Sequence, residues 1–262
     1  MEDIVSESDS QSNWRSVDAV KTSCALLEGL YRLDGAGVTE LAERLDISKA
    51  GVHSHLSTLR EEELVVQDGD EYRLSLQFLD FGEVAKRDTD IYDIVRDEIQ
   101  TLSEKTREVT QFMTEEHGWG IYIAKERGDS GIRTAAYVGA RKRPHCTGVG
   151  KAILAHLPPD RVNGIIERRG LPRKTENTIT EREELLDELA EIRDTGIAFD
   201  DEEIINGVRC VAVPVISQNE GLLGAVSVSG PASRFQGEYF REELPEFVLD
   251  SANVIQINAE QL

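Results

Sequence analysis

Apolar positions between Ser16 and Leu74 fall into three helical repeats followed by two short β-prone runs. Val17, Val20, Cys24, Leu27 and Leu30 recur at three- and four-residue steps and predict one apolar face of a first helix. Gly35-Ala36-Gly37 break the chain. A shorter second helix leads from Val38-Thr39 into Leu41, Ala42 and Leu45, with Thr39 as its expected N-cap, although Ala42 leaves the capping box incomplete. Asp46-Ile47 form a tight turn. Ser48 is the expected N-cap of a third helix running to about Glu63, with Val52, Leu56 and Leu59 on its inward face. Leu64-Val65-Val66-Gln67 and Glu71-Tyr72-Arg73-Leu74 then flank Asp68-Gly69-Asp70, a hairpin signal. Three helices and a hairpin predict a winged helix-turn-helix, whose third helix is the one that enters a major groove. A small module that binds protein instead would show the same hydrophobic spacing.

Two further helices are expected at Leu76–Arg87 and Ile91–Arg107, the second with a stripe of Ile91, Ile94, Val95, Glu98 and Leu102. They suit a connector and dimer surface, or helices lying on their own domain. From Val109 the period changes to alternation. Strands are expected at Val109–Met113, Trp119–Ala124, Gly131–Ala136, Ile197–Phe199, Val211–Ile216 and Leu222–Val228. Helices are expected at Gly150–His156, Pro159–Arg168, Thr180–Thr195 and Glu238–Asn258. Strand runs with short turns and segregated helices predict an α+β domain with an antiparallel sheet. The expected division is an acidic, Ser-rich disordered tail at 1–13, a winged helix-turn-helix at 14–78, linker helices at 79–107 and a C-terminal domain at 108–262.

Charge complicates the picture. The 262 residues carry 29 Lys and Arg against 50 Asp and Glu, a net charge of −21. DNA affinity normally rests on cations that neutralise phosphates, and between Trp14 and Asp80 there are 7 cations against 13 acids. The acids are spread along the chain, as in a halophilic proteome, where molar salt cuts the Debye length to about 3 Å. Against that background, Ser48 to Arg60 contains no acid. Ser48, Lys49, His53, Ser54, Ser57 and Arg60 are the expected DNA contacts, with His55 and Thr58 nearby, because hydroxyls, Lys and His donate to phosphates and base edges. His53 and His55 also make pH-sensitive binding an expectation, since imidazole changes charge at about pH 6.5.

No apolar run approaches the roughly 18 residues of a membrane span, and Met1–Asn13 lacks the apolar stretch of a signal peptide, so a cytoplasmic address is expected. Cys24, Cys146 and Cys210 are odd in number and form no C-x-x-C pair, so reduced thiols are expected. No cofactor is expected. Cys146-Thr147-Gly148-Val149-Gly150-Lys151 leads into a helix, and exposed N–H groups there make an anion site. It is not a P-loop, because Ala152 stands where Ser or Thr is required, and Ile153 breaks G-x-G-x-x-G. Alternation puts Ser227 and Ser229 on one strand face, where two hydroxyls can hold a carboxylate or a sugar hydroxyl. Cys210 opens a strand that can lie beside them, and Asp200 can accept from a ligand hydroxyl.

Several blocks resemble one family, the IclR-type regulators. Ser16–Val20, Leu45–His53 and the wing are similar to its DNA-binding domain. Pro144–Ala155, Gly196–Glu203, Gly207–Pro214 and Ala225–Pro231 follow in the family's order. The resemblance implies a C-terminal GAF-like effector domain with a curved antiparallel sheet flanked by helices. It implies contacts to the effector from Gly148, Val149, Asp200, Cys210, Ser227 and Ser229. It also implies a small-molecule effector such as an organic acid, keto acid or sugar-derived acid, and a homodimer or homotetramer on double-stranded palindromic operator DNA. Val149 stands where Ala would leave a roomier pocket, which points to a small effector. Two rivals come from other classes. One is a thiol enzyme or redox sensor using Cys146 and Cys210, with His145 and Asp200 as further groups for a metal or an activated thiol. No Ser-His-Asp or Cys-His-Asn arrangement supports it. The other is a structural interaction protein using the acidic surface.

Overall fold

The computed structural model describes residues 16–87, 91–134 and 136–261. The acidic segment 1–13 lies outside the described residues. Two compact units divide between Ala85 and Lys86.

In the first unit, α1 (Asp18–Leu33), α2 (Val38–Leu45) and α3 (Lys49–Glu61) close over Leu26, Leu30, Leu41, Val52, Leu56 and Leu59. The expected stripe on α1 is corrected. Val17, Val20 and Cys24 are exposed; Leu30 is buried and Leu27 packs against the core as expected, and Leu26 and Gly29 complete the buried face. The α2 helix packs close against α1: a Cβ on Gly29 would sit 3.1 Å from Leu41. The α2 cap is also corrected from Thr39 to Gly37. Ala36–Gly37 is itself a strand, β1, so the chain passes directly from strand to helix. Strands β2 (Val65–Asp68) and β3 (Glu71–Leu74) form the expected hairpin, with Asp68 opposite Glu71 and Gly69 at φ +59°, and β1 joins β3 as a third strand. Ser48 caps α3, its Oγ accepting from the Gly51 N–H at 3.1 Å. The next helix, α4 (Gln77–Arg87), buries none of its residues, and Leu79, Phe81 and Val84 are exposed.

The second unit is a six-stranded antiparallel sheet between helical layers. Its strands are β4 (Val109–Glu116), β5 (Trp119–Arg127), β6 (Arg141–Lys142), β7 (Ala198–Asp201), β8 (Val208–Ser217) and β9 (Gly221–Pro231), in the order β6-β5-β4-β9-β8-β7. Register shifts at Phe112/Met113 and Val215/Ile216 curl the sheet. One face packs α5 (Tyr92–Thr106) and α9 (Leu244–Ala259) over Phe112, Val211, Val213, Val226 and Val228. The other packs α6 (Gly148–His156), α7 (Pro159–Arg169) and α8 (Arg182–Thr195) over Met113, Ala198, Ala212 and Ala225. Large residues meet the long helices, and alanines let α6 come close.

Of the strand expected at Gly131–Ala136, the described residues 131–134 and 136 form none. Gly131 N–H turns back onto the Gly128 carbonyl, and Lys125 Nζ holds Thr134 Oγ1 at 2.8 Å, so this segment leaves the β5 edge. The edge is covered instead by β6, paired at Gly120 and Ile121. α6 begins two residues before its expected start, because Thr147 is a good cap whose Oγ1 accepts from Gly150 N–H at 3.0 Å. Among the described residues no helix is long and apolar enough to cross a membrane.

Candidate functional site

The acid-free stretch of α3 up to Arg60 presents Lys49, His53, Ser54 and Arg60 to solvent, with Ser57 half-buried. Its apolar positions point inward, so hydrophobic spacing alone orients the polar face. Two of its groups are already engaged. His55 Nδ1 meets Ser23 Oγ of α1 at 2.9 Å, which removes it from the reading face. Arg60 donates to Gln67 Oε1 of β2, and Gln67 Nε2 donates to the Gly69 carbonyl at 3.0 Å. Arg60 therefore clips the helix to the wing. The Ser48 hydroxyl accepts at the cap and keeps its own proton for donation.

Strand register assembles the second site. Asp200 on β7 lies opposite Cys210 on β8, and Cys210 lies opposite Ser229 on β9. A parallel row, Ala198–Ala212–Ser227–Gln111, runs beside it. The start of α6 stands over this face. A Cβ on Gly148 would come within 3.4 Å of Cys210 Sγ and of the Asp200 amide, so glycine sets the separation. Helix geometry leaves the Gly148 and Val149 N–H groups without an intrahelical carbonyl. Val149, Asp200, Cys210 and Ser229 all line one cavity of about 60 Å³. Gly148 and Ser227 are not among its lining residues. Ser227 is fully buried beside Gln111, and its Oγ has no hydrogen-bond partner.

Gln111, Tyr122, Lys142 and Thr147 also line the cavity and are absent from the sequence-based set. The signal for Gln111 and Tyr122 was a polar group at an inward position of an otherwise apolar strand. Burial, together with the nearby charge of Glu203, pushes the Asp200 carboxyl up to about 7, and its Oδ1 accepts from Glu203 N–H at 2.8 Å. Burial also pushes the Cys146 and Cys210 thiols up to about 12. Neither is a thiolate at neutral pH, so thiol catalysis lacks its nucleophile. His145, brought down to about 4 chiefly by burial, meets the Pro172 carbonyl at 3.3 Å.

Lys151 lies one turn further along α6 and is almost fully buried. It pairs with Glu203 at 2.6 Å and Glu188 at 2.8 Å. Burial opposes its charge, but the two carboxylates outweigh that and its pKa is raised.

Residues 23–69 match the family model described as IclR helix-turn-helix domain, and residues 84–257 match Bacterial transcriptional regulator IclR C-terminal. The chain is 32% identical over 250 residues to "Probable HTH-type transcriptional regulator ArcR" of Halobacterium salinarum, covering 94% of this chain and 95% of that protein. It is 31% identical to the HTH-type transcriptional regulator KdgR of Escherichia coli, covering 87% of each. The crystal structure of the Thermotoga maritima IclR superposes with a TM-score of 0.70 at 27% identity, over 93% of this chain and 97% of that one. The chain belongs to the IclR family: it is a DNA-binding transcriptional regulator with a C-terminal effector domain, and not an enzyme.

Proposed function

We propose that this regulator binds a palindromic operator as a homodimer or homotetramer, and that a small carboxylate in the pocket at the start of α6 changes its grip. Lys49, His53, Ser54 and Ser57 contact the duplex, Ser48 donates to a phosphate, and Arg60 holds the wing in register. The effector is an organic acid, keto acid or sugar-derived acid held by Gly148, Val149, Asp200, Cys210 and Ser229. Ser227 and Gln111 support the floor.

The observation that carries this reading is that Thr147 and Val149 at the start of α6 line the same small cavity as the Asp200–Cys210–Ser229 row. Helix-start amides favour an anion, and half-protonated Asp200 can donate to it. At about 10–15 Å³ per water-sized position, the cavity admits about five heavy atoms, the scale of a two- or three-carbon acid.

Pyruvate is the first probe. It is expected to raise the thermal midpoint of the protein in molar KCl and to shift affinity for the protein's own upstream DNA about fivefold or more. Ser229→Ala is expected to weaken pyruvate binding about tenfold, one hydrogen bond's worth, with DNA affinity intact. Loss of DNA affinity without loss of ligand response would overturn the assignment of the pocket. A screen of short acids that moves neither the midpoint nor the DNA affinity would overturn the ligand class.

A further inference from the structure

The cavity at the start of α6 is lined by a second set of polar groups. Asp200, Cys210 and Ser229 reach it from β7, β8 and β9, whereas Gln111, Tyr122 and Lys142 reach it from β4, β5 and β6. Strand register explains the gathering. Gln111 lies opposite Ser227, Met113 opposite Tyr122, and Gly120 opposite Lys142. A Cβ on Gly120 would run into Met113 Sδ, on the sheet face that packs α6. Residues directly opposite each other share a face. Lys142 therefore leaves the sheet on the cavity side, next to a position with no side chain of its own.

None of these three side chains is spent on the fold. Gln111 and Tyr122 are more than nine-tenths buried. Among the described residues neither side chain makes a hydrogen bond, and neither polar end is sealed off as the Ser227 hydroxyl is. Buried amides and phenols are ordinarily satisfied, so both ends open onto the cavity they line. The half-buried Lys142 ammonium likewise has no hydrogen bond or ion pair among the described residues. Elsewhere Arg161, Arg209 and Arg234 each find a carboxylate. Around Lys142 the chain supplies none locally, since no Asp or Glu occurs from Ser130 to Pro159. A neighbouring cation, Lys125, is spent on Thr134 Oγ1 and the Ala136 carbonyl. Burial, Arg127 and Lys142 together hold the Lys125 pKa down. Among the described residues lining the cavity, Lys142 is the one cation and Asp200 the one acid.

An amide, a phenol and an ammonium, all able to donate and one of them charged, suit a group with several acceptor oxygens and a negative charge. A methyl or an amide seated there would leave the ammonium uncompensated. We propose that Gln111, Tyr122 and Lys142 read a second carboxylate, so that the effector is a two- or three-carbon dicarboxylate with one end at the start of α6 and the other at Lys142. This rests on the effector pocket proposed above and narrows the acid it takes.

The test uses two matched pairs, oxalate with oxamate and malonate with malonamate, in which an amide replaces one carboxylate at nearly constant size. Pyruvate is the reference monocarboxylate. Each potassium salt is titrated into the full-length protein at neutral pH in molar KCl, by calorimetry and by thermal unfolding. In at least one pair the dianion is expected to bind about tenfold or more tighter than its amide. Lys142→Met should bring that dianion down to the level of the amide and leave pyruvate within about twofold. Lys142→Arg should keep part of the preference, and Tyr122→Phe should weaken the dianion a few-fold. Arg141→Met removes an equal charge from the opposite face of β6 and should leave the preference intact. If a monocarboxylate binds and neither dianion binds tighter, the dicarboxylate assignment falls and the effector pocket stands. The same holds if Lys142→Met weakens every acid alike. If none of the five acids binds, the carboxylate pocket falls and this assignment with it.

Discussion

Asp200 carries its proton to unusually high pH, and that has a sign that can be measured. Its carboxyl titrates at about 7 in the folded chain instead of 3.8, through burial first and the charge of Glu203 second. Between those values the native state holds a proton that the unfolded chain releases. Asp200 therefore contributes stability fully at low pH, and the contribution is lost as pH rises through about 7. The unfolding midpoint of the wild type relative to Asp200→Asn should fall between about pH 4 and about pH 7 and level off above that. A difference independent of pH would contradict the burial argument. Alternation placed Ser227 and Ser229 on one strand face, but of the two only Ser229 lines the cavity, beside Asp200 and Cys210, which the family blocks singled out. Lys151 was not legible as a buried ion, since its counter-ions lie 37 and 52 residues away and a helical lysine is ordinarily solvated.

Elements short of about four residues escaped hydrophobic periodicity, and for a common reason. β1 and β6 have two residues each, too few to alternate, and are fixed by the partner strand. Residues 131–134 were misread because their β-prone side chains satisfy a strand pattern, whereas the Gly128–Gly131 turn and the Lys125–Thr134 contact decide their path. Longer elements with consistent faces, α3, α5, β8 and β9 among them, were readable. Two predictions belong at this scale. Lys49→Ala should weaken operator binding about three- to tenfold and reduce the salt slope by about one, read by gel shift across a KCl series. Unchanged titrations would count against α3 as the reading helix. Gly150→Ala should destabilise the effector domain by about 1–3 kcal/mol, because its Cβ would sit 2.3 Å from the Pro144 carbonyl oxygen. Gly164→Ala on α7, with nothing within 4 Å, should be neutral or stabilising. Denaturant unfolding of the two variants checks the contrast.

At the scale of the whole chain the net charge of −21 dominates. Dispersed like charges repel at low ionic strength and are screened in molar salt. Thermal midpoints are expected to rise from low to molar KCl, and sequence-specific DNA binding to persist there, which parallel melts and gel shifts would show. A midpoint that falls with salt would remove the high-salt reading of the composition. Against this solvated exterior stands, among the described residues, a lysine that water scarcely reaches. Lys151 is 1% exposed and held by two carboxylates. An amine-reactive reagent can acylate it only while α6 is detached from α8 and the sheet. Its labelling rate, followed by mass spectrometry against the exposed lysines of the same molecule, therefore counts the openings of the effector domain. The chain carries its own clock for that motion, and a molecule seated at the start of α6 slows it in proportion to how tightly it binds.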